Sequence, residues 1–242
     1  MAGPIRHPQV VIFDWDGTLV DSTQTIAQAI RLSCQDLGLA VPSLKDAQYV
    51  IGLGLQDALR RVAPDLPAER APELSLRFRH HYLSRDHLLE PFDGIRPLLQ
   101  DLQAAGVVMT VATGKSRQGL ERAFDATQTR DFFAYSRCAD ESVPKPGPEM
   151  VLEICEYLDC DPSDALVVGD TTHDIQMAHS AGAQAVAVGY GAHEPEALRS
   201  LSPLDCLETV LALDLWVRRH LLGFPVGLHR PPPPSPPSPP SP

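Results

Sequence analysis

Apolar and polar positions alternate in two rhythms along this chain. Short apolar runs rich in β-branched residues recur at 10–13, 107–112, 165–168 and 185–188, each of strand length. Between the later runs, apolar residues return at helical spacing over 116–124, 148–158 and 174–181. Strands alternating with helices, each crossover long enough for a βαβ unit, predict a parallel sheet covered on both faces. The expected fold class is α/β, with a doubly wound parallel sheet.

One interval breaks this pattern. More than ninety residues separate Phe13 from Val107, and their periodicity is helical: Ile26, Ile30, Leu37, then Leu55, Leu59, Val62, then Leu74, Phe78, Leu83. Turn signals divide the interval at 38–42, 51–54 and 64–67. It reads as a helical cap domain inserted over residues 22–89, between core segments 1–21 and 90–222. A helix over 95–105, ended by Gly106, then returns the chain to the sheet. Residues 223–242 form a Pro-rich tail, and 231–242 are only Pro and Ser. Such a segment cannot build a core and is expected to be polyproline II or disordered. Arg230, Pro233 and Pro236 fit an Arg-x-x-Pro-x-x-Pro pattern of the sort proline-recognition domains bind, although low-complexity tails also produce such matches by chance.

Composition narrows the function classes. A hydrophobic content of 43% supports a real core, while the net charge of −11 argues against nucleic-acid binding, which needs clustered Lys and Arg. An anionic substrate must therefore be attracted locally, by a metal or by a few placed cations. Lysine occurs only at Lys45, Lys115 and Lys145. The five cysteines are scattered without Cys-x-x-Cys spacing, so reduced thiols are expected rather than disulfides or a zinc site. The run at 10–13 is too short for a secretory leader, and no stretch has the length of a membrane span. A cytoplasmic protein with no membrane partner is expected.

Strands of a doubly wound sheet point their C-terminal ends toward one crevice, where such folds bind ligands. The segments that follow the predicted strands are therefore the place to look for chemistry. Asp14-Trp15-Asp16-Gly17-Thr18 follows the first, and Thr113-Gly114-Lys115-Ser116 the second. Lys145 lies between two prolines at 144–146, and Gly169-Asp170-Thr171-Thr172-His173-Asp174 follows a third strand. Two carboxylates as close as Asp14 and Asp16 crowd like charges unless a cation or a shared proton compensates. Taken singly, each segment has a plainer reading. The aspartate pair and Thr113-Gly114 could be turns, Lys145 a solvated charge, and Asp170 and Asp174 a helix cap and first-turn acid. Lys115 is expected as a surface charge at a helix start, and His173 as an exposed first-turn residue without a role.

Together and in this order, the four segments resemble the motifs of the haloacid dehalogenase superfamily of phosphohydrolases. The resemblance spans 10 to about 188, cap included, and is nearest in pattern to the phosphoglycolate phosphatases and related sugar-phosphate enzymes. It implies a Rossmann-like core, Mg²⁺ as cofactor and a small phosphorylated metabolite as substrate. Asp14, the backbone carbonyl of Asp16, and Asp170 are the implied metal ligands, with Asp174 in or just beyond that set. Asp14 is the implied nucleophile and Asp16 the implied acid and base. Thr113, Gly114 and Lys145 are implied to hold the phosphoryl group. Hard oxygen ligands suit Mg²⁺, and neutralising the phosphoryl oxygens is what attack on a monoester requires. In the cap, the turn at 51–54 and Arg60 and Arg61 are candidates for closing over a substrate.

Three alternatives stay open at this point. A sugar phosphomutase would return the phosphoryl group to its substrate, and a broad sugar-phosphate or nucleotide phosphatase would share the same core. A catalytically silent phosphate-binding module would keep only the fold. Asp16 argues against a haloacid dehalogenase, a family that lacks that acid.

Overall fold

A computed structural model describes residues 7–223; the tail pattern at Arg230, Pro233 and Pro236 lies outside the described residues. Six strands form one parallel sheet: β1 (Val10–Phe13), β2 (Val108–Thr113), β3 (Tyr135–Cys138), β4 (Ala165–Gly169), β5 (Gln184–Val188) and β6 (Cys206–Leu207). Their order across the sheet is β3-β2-β1-β4-β5-β6. Between β1 and β2 lie five α-helices, the first four of which form the insert: α1 (Thr23–Asp36), α2 (Leu44–Tyr49), α3 (Leu55–Val62) and α4 (Ala71–Leu83). The helices that follow are α5 (Ile95–Ala104), α6 (Arg117–Thr127), α7 (Glu149–Leu158), α8 (Thr172–Ala181), α9 (Pro195–Ser200) and α10 (Val210–His220). None of the described helices is long and apolar enough to cross a membrane.

The two-residue period of β1 explains the double winding. Val10 and Ile12 pack with Met150 and Ile154 of α7 and Ile175 of α8. Val11 and Phe13 pack on the other face with Leu98 and Leu102 of α5, Leu120 of α6 and Leu213 of α10. Every residue of β1 is buried, as a strand covered on both faces requires. The helical insert has a core of its own, built from Ala27, Ile30 and Cys34 of α1, Ala47 of α2, Leu59 of α3 and Leu74 of α4.

The periodic segments predicted as core strands and helices form within a residue or a few of the expected bounds. Two strands escaped the periodicity, β3 and β6, and the sheet order places both at its edges. In β3 only Ser136 and Cys138 are fully buried, so Tyr-Ser-Arg-Cys contains no apolar run. A two-residue β6 is too short to show a period at all.

This topology sets the site. From β1 the chain moves outward through β2 and β3, then returns to β4 on the opposite side of β1. Phe13, the last residue of β1, is in register with Val111 and Val168, so the three central strands end close to one level. A crevice opens at their C-terminal ends where the winding direction reverses.

Candidate active site

Trp15 is the anchor of the first loop. Its ring is buried edge-on against Phe124, with centroids 5.2 Å apart and planes at 89°. Successive residues of an extended chain point to opposite sides, so seating Trp15 in the core turns Asp14 and Asp16 together toward the crevice. Gly17 follows with φ of 85°, and a Cβ there would run into the Asp170 carboxylate. Thr18, next in line, donates its hydroxyl hydrogen to Asp170 Oδ1 at 2.8 Å.

Asp14, Asp170, Asp174 and Lys145 come together from three separate loops and are all buried. Lys145 Nζ donates to Asp14 Oδ1 and to Asp174 Oδ1, each at 2.6 Å. Asp174 Oδ2 accepts from the Thr171 amide at 3.0 Å and the Thr171 hydroxyl at 2.7 Å, completing a capping box at the start of α8. The first-turn-acid reading of Asp174 and its place in the acid cluster therefore both hold, one on each oxygen, while the residue that caps α8 is Thr171 and not Asp170. Asp170 Oδ2 accepts from the Ala192 amide at 2.7 Å. Of the six oxygens on these three carboxylates, Asp14 Oδ2 alone is buried without a partner among the described residues.

Burial pushes Asp14 up to about 7, against the pull of Lys145, with the charge of Asp174 adding to the rise. Asp170 is also raised well above the carboxylate range, again by burial first and then by Asp14 and Asp174. For Asp174 burial is outweighed by Lys145 and the Thr171 donors, and its pKa falls. Burial also opposes the Lys145 ammonium, yet Asp14 and Asp174 hold it above the ordinary lysine value.

Charge and donor chemistry favour a divalent cation here. Ligand oxygens of Asp14, Asp170 and Asp174 lie within 4.8 Å of one another. Fully ionised, three buried carboxylates against one ammonium carry a net charge of −2, which the charge of Mg²⁺ would balance. The donors are hard oxygens, and the unpartnered Asp14 Oδ2 gives such an ion an open ligand. The residues present fit the cation that the sequence motifs imply.

Thr113 is buried at the end of β2, and its hydroxyl oxygen accepts from the Lys115 amide at 3.2 Å. Beside it Gly114 faces the cap: a Cβ there would meet the carbonyl oxygens of Leu53 at 2.5 Å and Gly52 at 2.8 Å. The same cap loop meets Thr171 at Gly52 and Pro144 at Gly54. It thus touches three of the four core loops. Arg60 and Arg61 do not share this position. Arg60 is exposed and pairs with Asp57, and Arg61 lies 4.8 Å over the Tyr49 ring.

Two expectations are corrected. Lys115 is not a surface charge: its side chain is 9% exposed, and Nζ lies 2.9 Å from Asp16 Oδ1 and 2.8 Å from the Tyr82 hydroxyl. The reason is local. Ser116 caps α6, accepting from the Gly119 amide, so Lys115 precedes the helix and stays in the crevice loop. His173 is likewise buried, because the cap covers it, with Nε2 3.2 Å from the Tyr49 carbonyl oxygen. His193 approaches that same oxygen at 3.0 Å while its Nδ1 accepts from the Thr172 amide. That bond assigns the proton to Nε2, and burial lowers the His193 pKa to about 4.

Sequence reasoning missed Thr18, Ser22, Tyr82 and His193. Thr18 stands inside the first motif and could have been read there. Ser22 donates to Asp16 Oδ1 at 2.6 Å, a contact across six residues that no periodicity reports. Tyr82 and His193 reach the site only through tertiary packing.

Comparisons with known proteins agree with this geometry. Residues 11–188 match the family described as Haloacid dehalogenase-like hydrolase. A protein of Thiobacillus denitrificans named Phosphoglycolate phosphatase is 31% identical over 212 residues, covering 84% of this chain and 92% of its own. PtkA of Mycobacterium tuberculosis, named a tyrosine-protein kinase, is 32% identical over 192 residues, covering 78% of this chain and 65% of its own. Among solved structures, a hydrolase from Pseudomonas syringae superposes with a TM-score of 0.78 at 22% identity, covering 85% of this chain and 95% of that one.

Proposed function

The chain belongs to the haloacid dehalogenase-like hydrolases, and from that membership we propose that it is a Mg²⁺-dependent phosphatase acting on a small phosphate monoester of the phosphoglycolate type. One observation carries the reading. Among the described residues Asp14 is buried with one oxygen unpartnered, beside two further buried carboxylates and a single lysine, an arrangement with no structural benefit and a clear catalytic use.

Asp14, Asp170 and the backbone carbonyl of Asp16 would hold the cation, with Asp174 beside them. When bound, Mg²⁺ supplies charge neutralisation for the carboxylates and for the phosphoryl oxygens. The side chains do the rest. Asp14 attacks phosphorus, the bond to the ester oxygen breaks, and its electron pair leaves on that oxygen as Asp16 hands it a proton. Asp16 then takes a proton from the water that attacks the aspartyl-phosphate, and the bond from phosphorus to Asp14 breaks to release inorganic phosphate. Thr113 and the Gly114 amide hold a phosphoryl oxygen, and Lys145 keeps Asp14 oriented through its hydrogen bond. Core segments 1–21 and 90–222 would carry the chemistry and the 22–89 cap would select the leaving group.

A small substrate is supported by the burial of all four acids and by the Gly52–Leu53 carbonyls pressed against Gly114. The kinase name of PtkA marks the point that similarity leaves to experiment, namely which acceptor receives the phosphoryl group. Phosphate release should be measured from phosphoglycolate, hexose phosphates, nucleoside monophosphates and pyrophosphate, with Mg²⁺ and with a chelator. Chelator-sensitive release from one small monoester, lost in Asp14→Asn, is expected. Equal release from Asp14→Asn would sink the mechanism, and isomerisation without release would replace it with a mutase.

A further inference from the structure

Asp16 is held from both ends of the cap. Ser22, just before α1, donates its hydroxyl to Asp16 Oδ1 at 2.6 Å. Lys115 reaches the same oxygen at 2.9 Å, and its ammonium is shared with the hydroxyl of Tyr82, in the last turn of α4, at 2.8 Å. The Tyr82 ring stacks on Phe78 at 5.7 Å and lies 5.0 Å from the same ammonium. Tyr82 therefore belongs to the packing of the cap, and Lys115 to the core loop beneath it. Neither these donors nor any other described hydrogen bond or ion pair falls on Asp16 Oδ2.

We propose that Tyr82 and Lys115 form a clamp that positions the Asp16 carboxyl for proton transfer to the leaving group only while the cap is down. Both are positioning residues, acting through Asp16; the inference rests on the acid role given to Asp16 above. The physical argument concerns the lysine stem. Four rotatable carbons leave an ammonium free to rehydrate unless both its partners are present. With the cap seated, Tyr82 fixes one side of the ammonium, Asp16 Oδ1 is occupied, and Oδ2 is left for the ester oxygen. With the cap lifted, Tyr82 moves away with α4, and Lys115 loses the hydroxyl that fixes the far side of its ammonium, so its hold on Asp16 loosens. Protonation of the leaving oxygen is then tied to closure over a substrate, and an open site does not spend its acid on water.

The test separates proton donation from every other contribution. Tyr82→Phe keeps the ring and its stacking but removes the hydroxyl; Lys115→Met keeps the stem but removes the charge. With the full chain and Mg²⁺, kcat/KM is measured on phenyl phosphate, whose leaving phenolate needs a proton, and on dinitrophenyl phosphate, whose phenolate does not. The phenyl to dinitrophenyl ratio should fall about tenfold in Tyr82→Phe and about a hundredfold in Lys115→Met, with Asp16→Asn giving the larger limit. Partial misfolding lowers both substrates alike and leaves the ratio unmoved. A ratio equal to wild type in both variants overturns the clamp. Absence of Mg²⁺-dependent phosphate release from either ester by the wild-type protein overturns the phosphatase reading itself, and the clamp with it.

Discussion

Without a bound cation, Asp14 holds its charge in a buried pocket beside Asp170 and Asp174, and burial moves its pKa from 3.8 up to about 7. The native state thus binds this proton more tightly than the unfolded chain does. Stability rises as pH falls from about 7 toward 3.8, and the full cost of the buried carboxylate is present above pH 7. A rise of that size corresponds to a ceiling of about 4 kcal/mol. Asp14→Asn removes the charge and still offers Lys145 an acceptor. In urea unfolding with chelator at about pH 8, the variant should be more stable than wild type by about 2 to 4 kcal/mol, or roughly 5–10 °C in Tm. Near pH 5.5 the wild-type carboxyl takes up its proton in the native state, and the advantage should shrink by about 2 kcal/mol. Mg²⁺ at a hundred times its Kd should stabilise wild type by about 2.7 kcal/mol and the variant less, which narrows the gap between them. A variant less stable than wild type at pH 8 in chelator, or an advantage independent of pH, would refute the claim that Asp14 is held at a cost that the cation offsets.

Other consequences follow from the same contacts. Asp16→Asn should lower kcat on phenyl phosphate by about a hundredfold or more without lowering Tm by more than a few degrees; steady-state kinetics and a thermal scan check both. Gly114→Ala places a methyl against the Leu53 and Gly52 carbonyl oxygens, so the cap loop must lift, and kcat/KM should fall at least about tenfold; a value within twofold of wild type would show that the loop does not seat there during turnover. Leu102→Ala, in the core between α5 and the sheet, should cost about 2 to 5 kcal/mol in denaturant unfolding with unchanged KM.

Much of this protein was legible along the chain because the signals are local. An apolar strand that ends in Asp14-Trp15-Asp16 shows both its core side and its crevice side within five residues, since a two-residue alternation fixes where each side chain points. Asp170 likewise declares itself by its place just after β4, and Asp174 by its place in the first turn of α8. Lys145 could be located because lysine is so scarce. The edge strands β3 and β6 could not be seen, because an edge buries only alternate or very few residues and carries no apolar run.

The sequence by itself determined which chemistry is available: four carboxylates, a threonine and a lysine at the ends of parallel strands. Only the tertiary structure decided how the charges are shared. Lys145 pairs with Asp14 and Asp174, while Lys115, expected at the surface, pairs with Asp16 beneath Tyr82. That assignment depends on contacts between residues 29 to 131 apart along the chain for Lys145, and for Lys115 on Tyr82 of the helical insert. A charge's partner is set by proximity in space and by the loss of water around it, and neither is written in the neighbours along the chain.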